Sequence, residues 1–103
     1  MASPSFFLQP RASRRFSPGR TVMTCGVDEL VQEGRLDPLP YLRRHLDGDW
    51  GDLSVHDRRQ NDAALKSGQD RLFSAYEIRP DLTLWIITEW DRSATTLLLP
   101  DEY

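Results

Sequence analysis

Residues 45–53 read HLDGDWGDL and hold the chain's densest set of groups able to do chemistry: a histidine, three aspartates and a tryptophan between two glycines. Calcium is the first chemistry to test. An EF-hand loop beginning at Asp47 puts Asp49 at its third position, but its fifth holds Gly51, its glycine position holds Asp52 and its bidentate glutamate position holds Arg58. The pattern therefore fails at three positions. A less regular divalent site built from Asp47, Asp49 and Asp52 has suitable ligands, yet closely spaced acids in a turn usually face water or cap helix ends. His45 and His56 flank the stretch, and with Asp49 or Asp52 they would form the two-histidine, one-carboxylate set of a catalytic zinc. No HExxH spacing supports that set, and lone histidines on polar helices are mostly surface residues, so no metal site is assigned.

Trp50 has two readings. A tryptophan between glycine-bearing turns either anchors its loop on the core or offers a stacking face to a partner. In the anchoring reading Gly48 and Gly51 permit positive φ, and the aspartates around the ring point to water. Covalent catalysis has no comparable foothold. Cys25 sits in no motif, and the chain contains neither a G-x-S-x-G elbow nor a glycine-rich phosphate loop, so no catalytic residue is assigned.

A second polar cluster is TEWDRSATT, residues 88–96. With a turn centred on Asp91 and Arg92, Glu89 faces Ala94, Thr88 faces Thr95 and Ile87 faces Thr96, so a carboxylate projects from the end of an apolar strand face. Glu89 is then either an edge-of-core acid satisfied by Arg71 or by hydroxyls, or a binding residue beside Asn61 or Arg92.

The elements that must position these groups follow from periodicity. RTVMTC carries Thr21, Val22 and Thr24 and predicts a short strand that Gly26 ends. VDELVQEG predicts a helix with Asp28 and Glu29 in its first turn and Gly34 closing it. DPLPYLRRHLDG predicts a second helix, with Asp37 as N-cap and Leu39, Leu42 and Leu46 on one face. LSVHDRRQNDAALKSG predicts a third, started by Ser54 and stopped at Gly68. Ala64 and Leu65 are its main apolar content, so it can cover an edge of a core but cannot organise one. RLFSAYEI, LTLWIITEW and SATTLLLP are rich in β-branched and aromatic residues and predict a three-stranded antiparallel meander. The middle strand is apolar on both faces and is expected to be covered on both.

The fold class is thus α+β: one small domain over residues 20–103, with a short N-terminal strand that can join the sheet as a fourth, two or three helices on one face, and the C-terminal meander. Residues 1–19 combine Pro, Ser and Arg without periodicity and read as a disordered basic arm. A chain of 103 residues suits one domain with a small core. Four arginines precede the first acid, which leaves residues 21–103 with nine basic residues against sixteen acids, a formal charge of −7. An acidic body argues against broad contact with phosphates, so nucleic acid is expected only at the arm. One cysteine excludes an intramolecular disulfide and a Cys-based zinc site, and Cys25 reads as a small buried apolar residue. No run is apolar enough for a signal core or a membrane span, and the prolines of the arm interrupt a presequence helix, so a cytoplasmic protein is expected.

GDWGDL at 48–53, NDAAL at 61–65, LFSAY at 72–76 and LWIITEWDRSATTLLLPDEY at 84–103, with GRTVMTCGVDEL before them, resemble a family of small, mostly uncharacterised bacterial proteins. The family is found on plasmids and integrative conjugative elements. Some members are labelled plasmid-related, others as like the modification subunit of type I restriction systems. The resemblance implies a mobile-element protein. Methyltransferase activity does not carry over, because no asparagine here precedes a proline and no S-adenosylmethionine loop is present.

The functional expectation is a non-enzymatic accessory protein of a mobile genetic element, without cofactor. It would bind a host or element-encoded macromolecule, foremost a protein, through the aspartate-rich loop and the polar helix after it. Asp49, Trp50, Asp52 and Asn61 are the first binding candidates, with Glu89 and Arg92 beside them. One alternative is a small RNA-cleaving toxin that uses Arg71, Arg92, Tyr76 and Tyr103, an analogy at the level of fold. Another is a structural subunit that forms a homodimer through the edge of the last strand, at Thr95, Leu97 and Leu99.

Overall fold

The computed structural model describes residues 14–103. Strand β1 (Arg20–Met23) leads into helix α1 (Cys25–Gln32), followed by α2 (Leu39–Leu46), α3 (Val55–Ser67), β2 (Leu72–Arg79), β3 (Leu82–Thr88), β4 (Ala94–Leu98) and a 3-10 turn (Pro100–Glu102). The sheet order is β1-β4-β3-β2. β2, β3 and β4 form the antiparallel meander, and β1 joins it parallel to β4. The hairpin register is the one that the Asp91–Arg92 turn implies, with Ile87 opposite Thr96 and Thr88 opposite Thr95.

Helices α1 and α2 cover one face of this sheet. Val27, Leu36, Tyr76, Leu84, Ile86 and Leu97 form the buried cluster beneath them. A second cluster of Trp50, Ala64 and Leu72, with Phe16, Leu53 and Leu65 packed against it, lies under α3. α3 buries only Asn61 and Ala64 among its thirteen residues, as its polar sequence requires. Ser54 caps its start by accepting the Asp57 amide, and Gly68 ends it in the left-handed conformation.

Several expectations are corrected. β1 stops before Thr24, whose hydroxyl caps α1, so Gly26 lies in the first turn of a helix and does not end a strand. Cys25 is exposed at the start of that helix and is not a core residue. In α2 the inward face is Tyr41, Leu42, His45 and Leu46; Leu39 is outside it and exposed, because the helix is rotated to bring His45 to the sheet. The second face of β3 is covered only in part: Ile87 is buried, Thr83 and Trp85 are half-buried, and the Trp85 ring meets that of Tyr103 5.8 Å away. β4 has no free edge for a homodimer, because β1 occupies it.

The boundary of the arm also shifts. Residues 1–13 of the expected disordered arm lie outside the described residues. Residues 14–19 are packed against the domain: the Arg15 amide donates to Leu46 O at 2.7 Å, Phe16 inserts beside His45 and Trp50, and Pro18 O accepts from the Thr95 hydroxyl at 2.7 Å. A low average hydrophobicity concealed one well-placed aromatic ring.

Candidate functional site

Residues 47–52 link α2 to α3, and their geometry is set by Trp50. The ring is 4% exposed, and its Nε1–H donates to Asp62 Oδ1 at 2.9 Å. Phe16 stacks on it with centroids 6.3 Å apart, and His45 meets it at 5.6 Å. Of the two readings of this tryptophan, anchoring describes its position.

With the ring fixed, the loop runs along the outer edge of β2. Trp50 O accepts the Ala75 amide at 3.2 Å, the Asp52 amide donates to Ala75 O at 2.6 Å, and Asp52 Oδ2 accepts the Glu77 amide at 2.8 Å. Gly51 forms a parallel bridge with Ala75. Its φ is +79°, and a Cβ there would collide with the Ala75 carbonyl, so a left-handed turn and a close backbone approach both require glycine. One residue pair further along the edge, Asn61 reaches from α3 and bonds both outward groups of Phe73, Nδ2 to the carbonyl at 2.5 Å and Oδ1 from the amide at 3.1 Å. The loop and Asn61 together satisfy the β2 edge from Phe73 to the Glu77 amide.

The remaining aspartates serve the same frame. Asp49 pairs with Arg44 at 2.8 Å and accepts the Gly51 amide, while its own carbonyl accepts the Tyr76 hydroxyl at 2.6 Å. The Arg44 hydrogen bond, against a weaker effect of burial, holds the Asp49 carboxyl below its ordinary range. Among the described residues, no three His, Cys, Asp or Glu side chains gather as a metal site.

Glu89 and Arg92 lie apart from this loop. The Arg92 guanidinium donates to the carbonyls of Asp70, Glu89, Trp90 and Ala64, tying the β3–β4 turn to the C-terminal end of α3, where a cation is favoured. Glu89 is exposed and forms no ion pair among the described residues; its side chain lines a cavity of about 330 Å³ with Arg71, Ile87, Leu98 and Tyr103. The four residues of the toxin alternative do not converge. Tyr76 is 1% exposed, its hydroxyl pKa raised above the ordinary tyrosine value chiefly by burial, and Arg92 is engaged with backbone, leaving only Arg71 and Tyr103 in contact.

Sequence reasoning missed the buried polar chain at the centre. His45, expected at the surface, is fully buried, with Nδ1 2.6 Å from Ser74 Oγ and Nε2 2.9 Å from Thr88 Oγ1. Thr88 meets Thr95 at 2.7 Å, and Thr95 bonds Pro18 O. The carbonyl at the end fixes every proton. Thr95 must donate to it, so Thr88 donates to Thr95, His45 donates through Nε2–H to Thr88, and Ser74 donates to Nδ1. Burial depresses the His45 pKa to about 3, so the ring is neutral. Ser74 and His45 have the spacing of a nucleophile and its base, but both are fully buried and no substrate reaches them. The facing pair Thr88 and Thr95 was the one sequence signal for this network.

Two open clefts flank α3. One, of about 590 Å³, lies between the helix and the end of β2 and is lined by Asp57, Gln60, Ala63, Asp70, Arg71 and Phe73 among others. The other, of about 440 Å³, lies on the loop side and includes Arg44, Asp49, Asp52, Arg58 and Asp62. No helix among the described residues is long and apolar enough to cross a membrane. Comparisons with protein-family models, with curated proteins and with solved structures gave no match.

Proposed function

We propose that this chain is a non-enzymatic binding protein, an accessory protein of a mobile genetic element, and that it engages a protein partner along the exposed ridge of α3. The observation that carries the reading is the position of that helix: it buries two of thirteen residues and stands between two open clefts. The mobile-element setting rests on the sequence resemblance. Carboxylates in both clefts, with arginines among them, favour a protein surface of mixed charge over a phosphate backbone.

Asp49, Trp50, Asp52 and Asn61 then act as the frame of the binding surface, and the contacts come from residues around them, such as Arg59, Gln60 and Ala63. The test is crosslinked affinity capture from bacterial lysate with wild type, Ala63→Arg and, as a control, Thr83→Lys, a half-buried β3 position opposite Glu77 that lines neither cleft. Ala63 is an exposed helical position in the larger cleft, so arginine blocks the cleft without touching the core. A protein captured by wild type and Thr83→Lys but lost with Ala63→Arg supports the reading. Capture of nucleic acid alone, or of no partner by any folded variant, contradicts it.

A further inference from the structure

We infer that the outer edge of β1 is a self-association surface and that its occupant is β1 of a second copy of this chain, paired antiparallel. The direction of the backbone groups is fixed by β4. The Arg20 amide donates to Ser93 O and the Thr24 amide to Leu97 O, each at 3.0 Å, with Val22 opposite Thr96 between them. Strand alternation then turns the N–H and C=O of Thr21 and Met23 away from the sheet. Both residues are exposed, and among the described residues nothing bonds these four groups.

The contrast with the other edge is informative. β2 is covered from Phe73 to the Glu77 amide by Trp50, Asp52 and Asn61, so among the described residues β1 is the open edge of the sheet. Pairing at one open edge closes after two copies, giving an eight-stranded sheet capped at both ends in place of a growing fibre.

The register is self-complementary. With the two-fold axis at Val22, Thr21 of one copy and Met23 of the other exchange both N–H···O bonds, four in total, and Val22 meets its own copy at the closer, non-hydrogen-bonded position. Val22 is half-buried on the face that also carries Trp85 and Leu98, so the contact extends an apolar strip. Arg20, the only charged residue of the strand, falls opposite Thr24, so no like charges oppose each other. A four-residue seam is smaller than a stable interface requires, and the dimer is therefore a weak one.

The test combines sedimentation velocity with amide exchange, from about 10 µM to about 1 mM protein, a range that spans weak association. The expected result is a concentration-dependent dimer in which the Thr21 and Met23 amides slow at least tenfold, while those of Arg20, Val22 and Thr24 are protected at every concentration. Met23→Pro and, separately, Thr21→Pro each delete an outward donor and leave the bonds to β4, so each weakens dimerisation at least tenfold. A monomer throughout overturns the inference. So does a dimer in which these two amides still exchange freely, or a monomer in which they are already protected.

Discussion

The carboxamide of Asn61 bonds both the amide and the carbonyl of Phe73, standing in for the peptide group of a neighbouring strand. It is 5% exposed, so water does not readily replace it. Asn61→Ala strips two partly buried backbone groups of their partner and is expected to lower stability by about 2–3 kcal/mol in chemical denaturation. Asn61→Asp keeps the acceptor for the amide but sets an oxygen against the carbonyl, so it should cost more than alanine. Equal stability of all three proteins would contradict this role.

Gly51 is where the loop touches the sheet. Gly51→Ala places a methyl group against the Ala75 carbonyl and forces alanine into a left-handed conformation. The expected cost is about 2 kcal/mol or more, accompanied by faster exchange of the Ala75 amide. Gly34, also at positive φ but with nothing near a built Cβ, is the control: Gly34→Ala should cost only about 1 kcal/mol.

His45 makes stability depend on pH. Its pKa falls from 6.5 to about 3 on folding, so between those values the unfolded chain takes up a proton that the native chain refuses. Stability is therefore full above pH 6.5 and declines as pH falls, by about 2 kcal/mol between pH 7 and pH 5. Denaturation curves at the two pH values measure the loss, and ¹⁵N spectra should show neutral His45 with Nε2 protonated at pH 5. Equal or higher stability at pH 5 would refute the buried neutral ring.

Arg92 joins two opposing effects in one residue. Its φ of 61° is unfavourable for any side chain, while its guanidinium ties the β3–β4 turn to α3. Arg92→Ala loses the ties and keeps the strain, for an expected cost of about 2–3 kcal/mol; Arg92→Gly relieves about 1 kcal/mol of that. Thermal unfolding should rank wild type above glycine and glycine above alanine.

The sequence made the meander legible because its strands are long, β-branched and separated by strong turns, and Thr88 and Thr95 face each other as alternation requires. The caps of α3 were equally legible, since Ser54 and Gly68 each act through a local rule. What stayed hidden depends on contacts distant in the chain. Nothing near His45 announces Ser74 and Thr88, 29 and 43 residues away. Asn61 likewise looks like any polar helical residue until the edge of β2 arrives beside it. The aspartate-rich loop showed its turn chemistry in the sequence, whereas its role as a cover for a strand edge required the register of Ala75.

The most direct measurement is native-state amide exchange along β2, on wild type and Asn61→Ala. If the loop and Asn61 seal this edge, the amides of Phe73, Ala75 and Glu77 are protected in wild type. In Asn61→Ala the Phe73 amide should then exchange at least tenfold faster, measured relative to Ala75, whose bond to Trp50 O remains. Free exchange of these amides in wild type, or a Phe73 amide indifferent to the loss of Asn61, would show that the loop has another purpose.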